Sequence, residues 1–245
     1  MKVSIVIPSF NSEKIIINSI NRIQKKLRII KKVKYELIII DDGSTDNSKK
    51  LLKKIERKNI KVIYNSKNLG KSSSLIKGIK RAKYREIIIW DCDLPYFYHF
   101  DKLLKLMKSK DFIYIDRRSK NSYLESKKLN FYQYCRYIIS NIVCSLINHL
   151  ILKSNLGDTQ AGLKGFRKPK NFNNLNFISK KFFLDAELMI LFSDANLNMQ
   201  SISLKYKIYK NSTIKIFSLQ NFIYLAELFK VILRYKFKKT KKIKF

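Results

Sequence analysis

Apolar residues in this chain fall into short β-branched runs, separated by longer stretches in which they recur every three or four positions. The runs are "VSIVIP" (3–8), "YELIIIDDG" (35–43), "IKVIYN" (60–65), "EIIIW" (86–90) and "DFIYID" (111–116). Runs this short, apolar at consecutive positions and closed by Pro, Asp-Gly or Asn, predict strands buried on both faces. Helical spacing fills the gaps: Ser12 to about Ile30, "STDNSKKLLKKIERK" (44–58) with its opening capping residues, "GKSSSLIKGIKRA" (70–82), and a stretch near 99–109. Strands alternating with helices predict an α/β fold, with parallel βαβ units in an open, doubly wound sheet.

Ligands of such sheets bind beyond the carboxyl ends of the strands. Asp41 and Asp42 end the second strand, Asp91 and Asp93 the fourth, and Asp116 the fifth. In the extended stretch "WDCD" the side chains of Asp91 and Asp93 point the same way. Like charges so placed are unfavourable unless a cation sits beside them. Acids gathered at one sheet edge mark that edge as the site. Two phosphate motifs fail. A P-loop around Gly70-Lys71-Ser72 would need glycine at position 65, which is Asn65, and no G-x-G-x-x-G follows the first strand. Gly70-Lys71 reads as a turn into a helix whose N-terminus can face an anion.

Composition adds partners to the picture. The 245 residues hold 52 Lys and Arg against 18 Asp and Glu, a net charge of +34. That charge invites nucleic acid or an anionic membrane surface. Most of the basic residues are Lys, so a solvated lysine surface is the plain reading of much of it. Nucleic acid is disfavoured because most aromatics fall in apolar strand and helix patterns rather than among the basic residues. Cys92, Cys135 and Cys144 lack CxxC spacing and His99 and His149 are far apart, which supports neither a zinc site nor a disulfide framework. The opening "MKVSIVIPSFNSE" is not read as a signal peptide, and no apolar run reaches about 18 residues, the length of a transmembrane helix.

Four pieces in order, "IVIPSFNSE", "IIIDDGSTD", "NLGKSSSLIKGIKRA" and "WDCD", resemble glycosyltransferase family 2, whose members have the GT-A (nucleotide-diphospho-sugar transferase) fold. The resemblance implies that Pro8, Asn11, Glu13 and Asp42 line the nucleotide pocket, with Asp42 on the base or ribose and Lys71 nearby. It implies that Asp91 and Asp93 form the D-x-D pair holding Mg²⁺ or Mn²⁺. Relatives often carry Gln two residues after the second Asp. Here that place is Pro95, which leaves the third ligand open.

"DTQAGLKGFRK" (158–168) and "FFLDAELMILFSDANLNMQSISLKY" (182–206) extend the likeness to the dolichyl- or polyprenyl-phosphate glucose or mannose synthase branch. By that likeness Asp158 and Gln160 lie beside the donor sugar, and Asp185, with Glu187, occupies the family's Phe-Asp-x-Glu position. Asp185 and Glu187 can equally be helix caps or core polar pairs. In "NFYQYCRYIISNIVCSLINHLIL" (130–152), Arg136 and Ser140 sit at i and i+4 on one helix face. They resemble the branch's grip on the lipid phosphate, with Arg117 or Arg118 as the upstream arginine. This helix is either a core helix or one lying in the membrane interface.

The expectation is a GT-A domain over 1–216, followed over 217–245 by an amphipathic helix and basic tail that associate with a membrane. The chain would be a metal-dependent, inverting glycosyltransferase at the cytoplasmic face of a membrane, peripheral or monotopic. It would move a hexose from a nucleotide-diphosphate sugar, of the UDP-glucose or GDP-mannose type, to a polyprenyl or dolichyl phosphate. The catalytic set would be Asp93, Asp158, Gln160 and Asp185. The alternative acceptor is a sugar hydroxyl, which would need a general base, with Asp158 or Asp185 as candidates.

Overall fold

A computed structural model of the chain describes residues 1–30, 32–124, 131–150, 156–206, 219–237 and 243–244. Its elements run β1 (Lys2–Ser9), α1 (Ile16–Ile29), β2 (Lys34–Asp41), α2 (Ser48–Lys53), β3 (Ile60–Tyr64), α3 (Lys71–Arg81), β4 (Glu86–Trp90), α4 (Phe100–Leu106) and β5 (Phe112–Ile115). There follow β6 (Tyr123–Leu124), α5 (Phe131–Leu150), β7 (Leu163–Arg167), α6 (Leu184–Asp194), β8 (Met199–Ile202), β9 (Lys205–Tyr206) and α7 (Leu219–Phe237). Seven strands form one sheet in the order β3-β2-β1-β4-β7-β5-β8. Every pairing in it is parallel except those of β7, which runs antiparallel between β4 and β5.

All five predicted strands form. Alternate residues of each strand enter opposite cores, as a strand's period of two requires. Ile5, Leu37, Ile88 and Ile113 pack with Ile20 and Ile23 of α1 and Leu103 of α4. Val6, Ile38, Ile87 and Phe112 pack with Leu75 and Ile79 of α3 and with Leu188 and Phe192 of α6. Helices on both faces make the sheet doubly wound. Gly78 lets α3 press close, since a Cβ there would come within 2.5 Å of the Val6 side chain.

Two strands of the main sheet carry no run in the apolar pattern. In β7, "LKGFR", the second residue is Lys164, and that lysine is wholly buried. The first helix begins later than the spacing predicts, at Ile16 rather than Ser12. Asn11 is left-handed (φ 48°), and residues 11–13 clasp the 44–48 turn instead of coiling. Asn11 Oδ1 accepts the Thr45 N–H (2.8 Å), Glu13 Oε2 that of Asn47 (2.9 Å), and Ser48 Oγ that of Ser12 (2.8 Å).

Helix α6 is buried from Leu184 to Phe192, because the sheet covers one side and α5 and α7 the other. Ile147 of α5 and Leu228, Val231 and Ile232 of α7 pack on Phe183, Ala186 and Ile190. Glu227 of α7 accepts the N–H groups of Lys181 (2.7 Å) and Phe182 (2.8 Å), satisfying donors that precede the helix. The expected domain boundary near 216 falls within 207–218, outside the described residues. No helix among the described residues is long and apolar enough to cross a membrane.

Candidate active site

The carboxyl edge of the sheet gathers the acids as expected, and their partners differ from one to the next. Asp42 is buried and acts as a loop holder. Its Oδ1 accepts from Asn65 Nδ2 (2.8 Å) and the Leu69 N–H (3.0 Å), and its Oδ2 from the Gly70 N–H (2.8 Å). The neighbouring acid behaves otherwise. Ser9, Asp41 and Tyr64 are in register across β1, β2 and β3, and the Ser9 Oγ, Asp41 Oδ1 and Tyr64 hydroxyl are buried without a hydrogen-bond partner. Buried polar atoms without partners are costly. A row of three such atoms at a ligand-binding edge suits a polar ligand. Sequence reasoning placed Asp41 at this edge but chose Asp42 for the pocket; the signal available was only the Asp-Asp pair. Pro8 is the penultimate residue of β1, beside Ile40 and two residues past the last pairing with β4.

The second group centres on Lys71, the first residue of α3. Its Nζ lies 2.7 Å from Asp91 Oδ1 and 3.3 Å from Asp185 Oδ2. The other Asp185 oxygen meets the buried Lys164 Nζ at 2.9 Å, which also donates to the Ala161 carbonyl (2.6 Å). Burial would raise the Asp185 carboxyl, yet Lys164 and then Lys71 hold it below the usual range. Asp91 needs glycine opposite it: a Cβ on Gly162 would lie 2.1 Å from Asp91 Oδ2. The Ser72 and Ser73 N–H groups donate to Lys181 and Lys180 carbonyls (3.1 and 2.8 Å), so these two donors of the α3 N-terminus are not free for an anion.

Asp93 is exposed, and its carboxyl is raised by desolvation and then by the charge of Asp91. A cation between the two would relieve that repulsion. No cluster of three or more His, Cys, Asp or Glu fit for a metal occurs among the described residues. Pro95 offers no side-chain ligand, and its carbonyl accepts the Trp90 Nε1–H (2.8 Å). Two carboxylates alone form the donor set of a hard cation completed by phosphate oxygens and water, rather than a closed cage.

The third group joins the loop after β5 to α5. Asp158 is wholly buried under two arginines. Arg117 grips it with both Nε and Nη2, the latter at 3.0 Å. Arg118 Nη1 lies 2.7 Å from Asp158 Oδ1 as an ion pair without hydrogen-bond geometry, and its Nη2 donates to Ser140 Oγ (2.7 Å). The Arg118 Nε has no partner. The structure thus brings together Arg117, Arg118, Ser140 and Asp158. The side chain of Arg136 lies outside the described residues. Gln160 donates its backbone N–H to Asp158 (3.0 Å), while its side-chain oxygen is buried without a partner. Beside the arginines opens a cavity of about 430 Å³, lined also by Tyr137, Asn141, Asn148 and His149.

Comparisons with known proteins bear on the family and the fold. The sequence model of "Glycosyl transferase family 2" matches residues 4–171. The chain is 30% identical over 142 residues to the dolichol-phosphate mannosyltransferase of Pyrococcus furiosus, a match covering 57% of this chain and 38% of that one. It is 25% identical over 205 residues to the human dolichyl-phosphate beta-glucosyltransferase, covering 78% of this chain and 62% of the relative. Each match spans less than two thirds of the relative's length. In fold, the chain is similar to glucosyl-3-phosphoglycerate synthase from Mycobacterium tuberculosis, solved with Mn²⁺, UDP and phosphoglyceric acid. The TM-score is 0.67 at 14% identity, covering 98% of this chain and 80% of that one.

The arginine cluster makes a pH prediction. Burial by itself would raise the Asp158 carboxyl, but Arg117 and Arg118 hold it at about 2. A depressed native value stabilises the fold above the unfolded value, near 3.9, and that contribution is lost as pH falls toward 2. Asp158→Asn should therefore lower the urea-unfolding free energy at neutral pH, by on the order of 2 kcal/mol for the titration alone. The gap to wild type should close between about pH 4 and pH 2. A gap independent of pH in that range would refute the pairing.

Proposed function

The chain belongs to glycosyltransferase family 2, and from that premise we propose that it transfers a hexose from a nucleotide-diphosphate sugar to the phosphate of a polyprenyl or dolichyl carrier, with inversion. One observation carries the choice of acceptor. A sugar hydroxyl would need a general base, and both candidate acids are engaged: Asp158 by Arg117 and Arg118, Asp185 by Lys164 and Lys71. A phosphate monoester has a second pKa near 6 and is largely dianionic at neutral pH, so it attacks without a base. What it requires is a cationic seat near the donor.

Arg118 fits that seat better than Arg117. The fork of Arg117 is taken up by Asp158, whereas Arg118 lines the cavity, reaches Ser140 and has a buried Nε without a partner. Guanidinium donors match phosphate oxygens in plane. On the donor side, the unpartnered row of Ser9, Asp41 and Tyr64 supports a place for the nucleoside. Asp42, Asn11 and Glu13 shape that pocket by holding its loops. Asp91 and Asp93 would hold Mg²⁺ or Mn²⁺, which when bound supplies charge to stabilise the departing diphosphate.

A membrane role for α5 and α7 follows from their outer faces. Polar residues of α5 (Tyr137, Asn141, Asn148) turn to the cavity, while Ile139, Ile142 and Leu146 are exposed. On α7, Phe222 and Phe229 are 72% and 62% exposed. Apolar side chains left exposed along two helices suit a lipid surface. The carrier phosphate would then enter the cavity from that surface.

Three experiments test the reading. Asp93→Asn should fold yet lose transfer, and excess EDTA should silence wild type; turnover in both cases would refute the metal pair. Arg118→Ala should raise the acceptor KM by about tenfold to a hundredfold, the equivalent of one charge-assisted bond. Arg118→Lys should fall between, and donor hydrolysis without acceptor should be unchanged in both; transfer by Arg118→Ala at the wild-type KM would sink the lipid-phosphate seat. The membrane role is best tested by Phe229→Glu, because deleting α7 would also remove Glu227 from the loop before α6. The variant should sediment less with anionic vesicles while keeping its thermal midpoint, and undiminished sedimentation would clear this face of the role.

A further inference from the structure

Lys71 holds a position that the transfer chemistry alone does not explain. Its ammonium sits 2.7 Å from Asp91, one of the two carboxylates read as the metal pair, and 3.3 Å from Asp185. It is not a loose surface lysine. Gly70 before it is left-handed (φ 105°), a conformation that favours glycine. The next two residues donate their N–H groups to Lys181 and Lys180. The root of the side chain is therefore fastened. Asp185, at the far end, is fixed in turn by the buried Lys164 (2.9 Å).

Charges in this group balance without any metal. Asp91 and Asp185 are matched by Lys71 and Lys164, and Asp93 alone is left unneutralised. A divalent cation approaching this edge meets a carboxylate one of whose oxygens is already engaged by a fixed positive charge.

We propose that Lys71 is a positioning residue that competes with the metal for Asp91 and releases it to the metal when a nucleoside diphosphate arrives to take the ammonium. The inference rests on the reading of Asp91 and Asp93 as the metal pair. It makes metal and diphosphate bind as a unit: each raises the affinity for the other by the same factor. A site of this kind stays empty of divalent cation until donor is present.

The test is direct Mn²⁺ binding, read by electron paramagnetic resonance of the free ion and by calorimetry, without turnover. Wild type should bind Mn²⁺ at least tenfold more tightly with UDP or GDP than without. Lys71→Met should bind Mn²⁺ alone at least tenfold more tightly than wild type does, and should lose most of the gain from nucleotide. Lys71→Arg, which keeps the charge, should stay weak. Equal Mn²⁺ affinity in wild type and Lys71→Met, both folded by circular dichroism, would overturn the competition and leave the metal pair standing. If Lys71→Met does not fold, equal wild-type affinity with and without nucleotide overturns it instead. No Mn²⁺ binding by either protein under any condition would overturn the metal reading and this inference together.

Discussion

Negative charge collected at the carboxyl edge of a parallel sheet has to be neutralised, and the way it is neutralised organises this molecule. The edge lies between two helical layers, so water screens it poorly and unpaired carboxylates there are costly. The chain answers with buried cations rather than with fewer acids. Lys164 lies wholly inside the sheet to meet Asp185, and Arg117 and Arg118 close over Asp158. Asp93 and one oxygen of Asp41 are left without such a partner, and these are the positions where a bound cation and a polar ligand have most to offer.

Those ion pairs also tie distant parts of the chain together. Asp185 starts α6, Lys164 belongs to the one antiparallel strand, Lys71 to the start of α3, and Asp91 to the end of β4. The segment before α6 is held from three directions. Glu187 accepts the N–H groups of Ile178 and Ser179, Glu227 of α7 those of Lys181 and Phe182, and the carbonyls of Lys180 and Lys181 bond to α3. Through these bonds α7, far along the chain from the donor edge, stands within one linked set of contacts with it. Cross-linking of this kind holds groups that are distant in sequence at fixed separation.

The chain's excess of positive charge thus has two parts with different physics. A few basic side chains are buried, paired and geometrically fixed at the reaction edge. Most of the others are solvated lysines, individually weak but together creating a positive field that favours anionic substrates and surfaces. Exposed apolar side chains on α5 and α7, Ile142 and Phe229 among them, stand apart from both groups of charges.

The sequence alone determined the five strands, the helices between them, the doubly wound sheet and the edge where its acids meet. Short apolar runs and helical spacing are local signals, and the rule that ligands sit at strand carboxyl ends needs only strand order. The family, too, was legible, from four motifs in sequence. Strand β7 was not, because a lysine within it reads as surface until Asp185, twenty-one residues on, is folded against it. Nor could the sequence tell which acid of Asp41-Asp42 holds a loop and which is left open, since both have the same chemistry and differ only in the backbone N–H groups within reach. The engagement of Asp158 and Asp185 by cations, the choice between Arg117 and Arg118, and the bridge that Lys71 makes to Asp91 were likewise decided by tertiary structure. Coulombic pairing depends on distance in space, and residues 20 to 114 positions apart become neighbours only when the sheet closes around them.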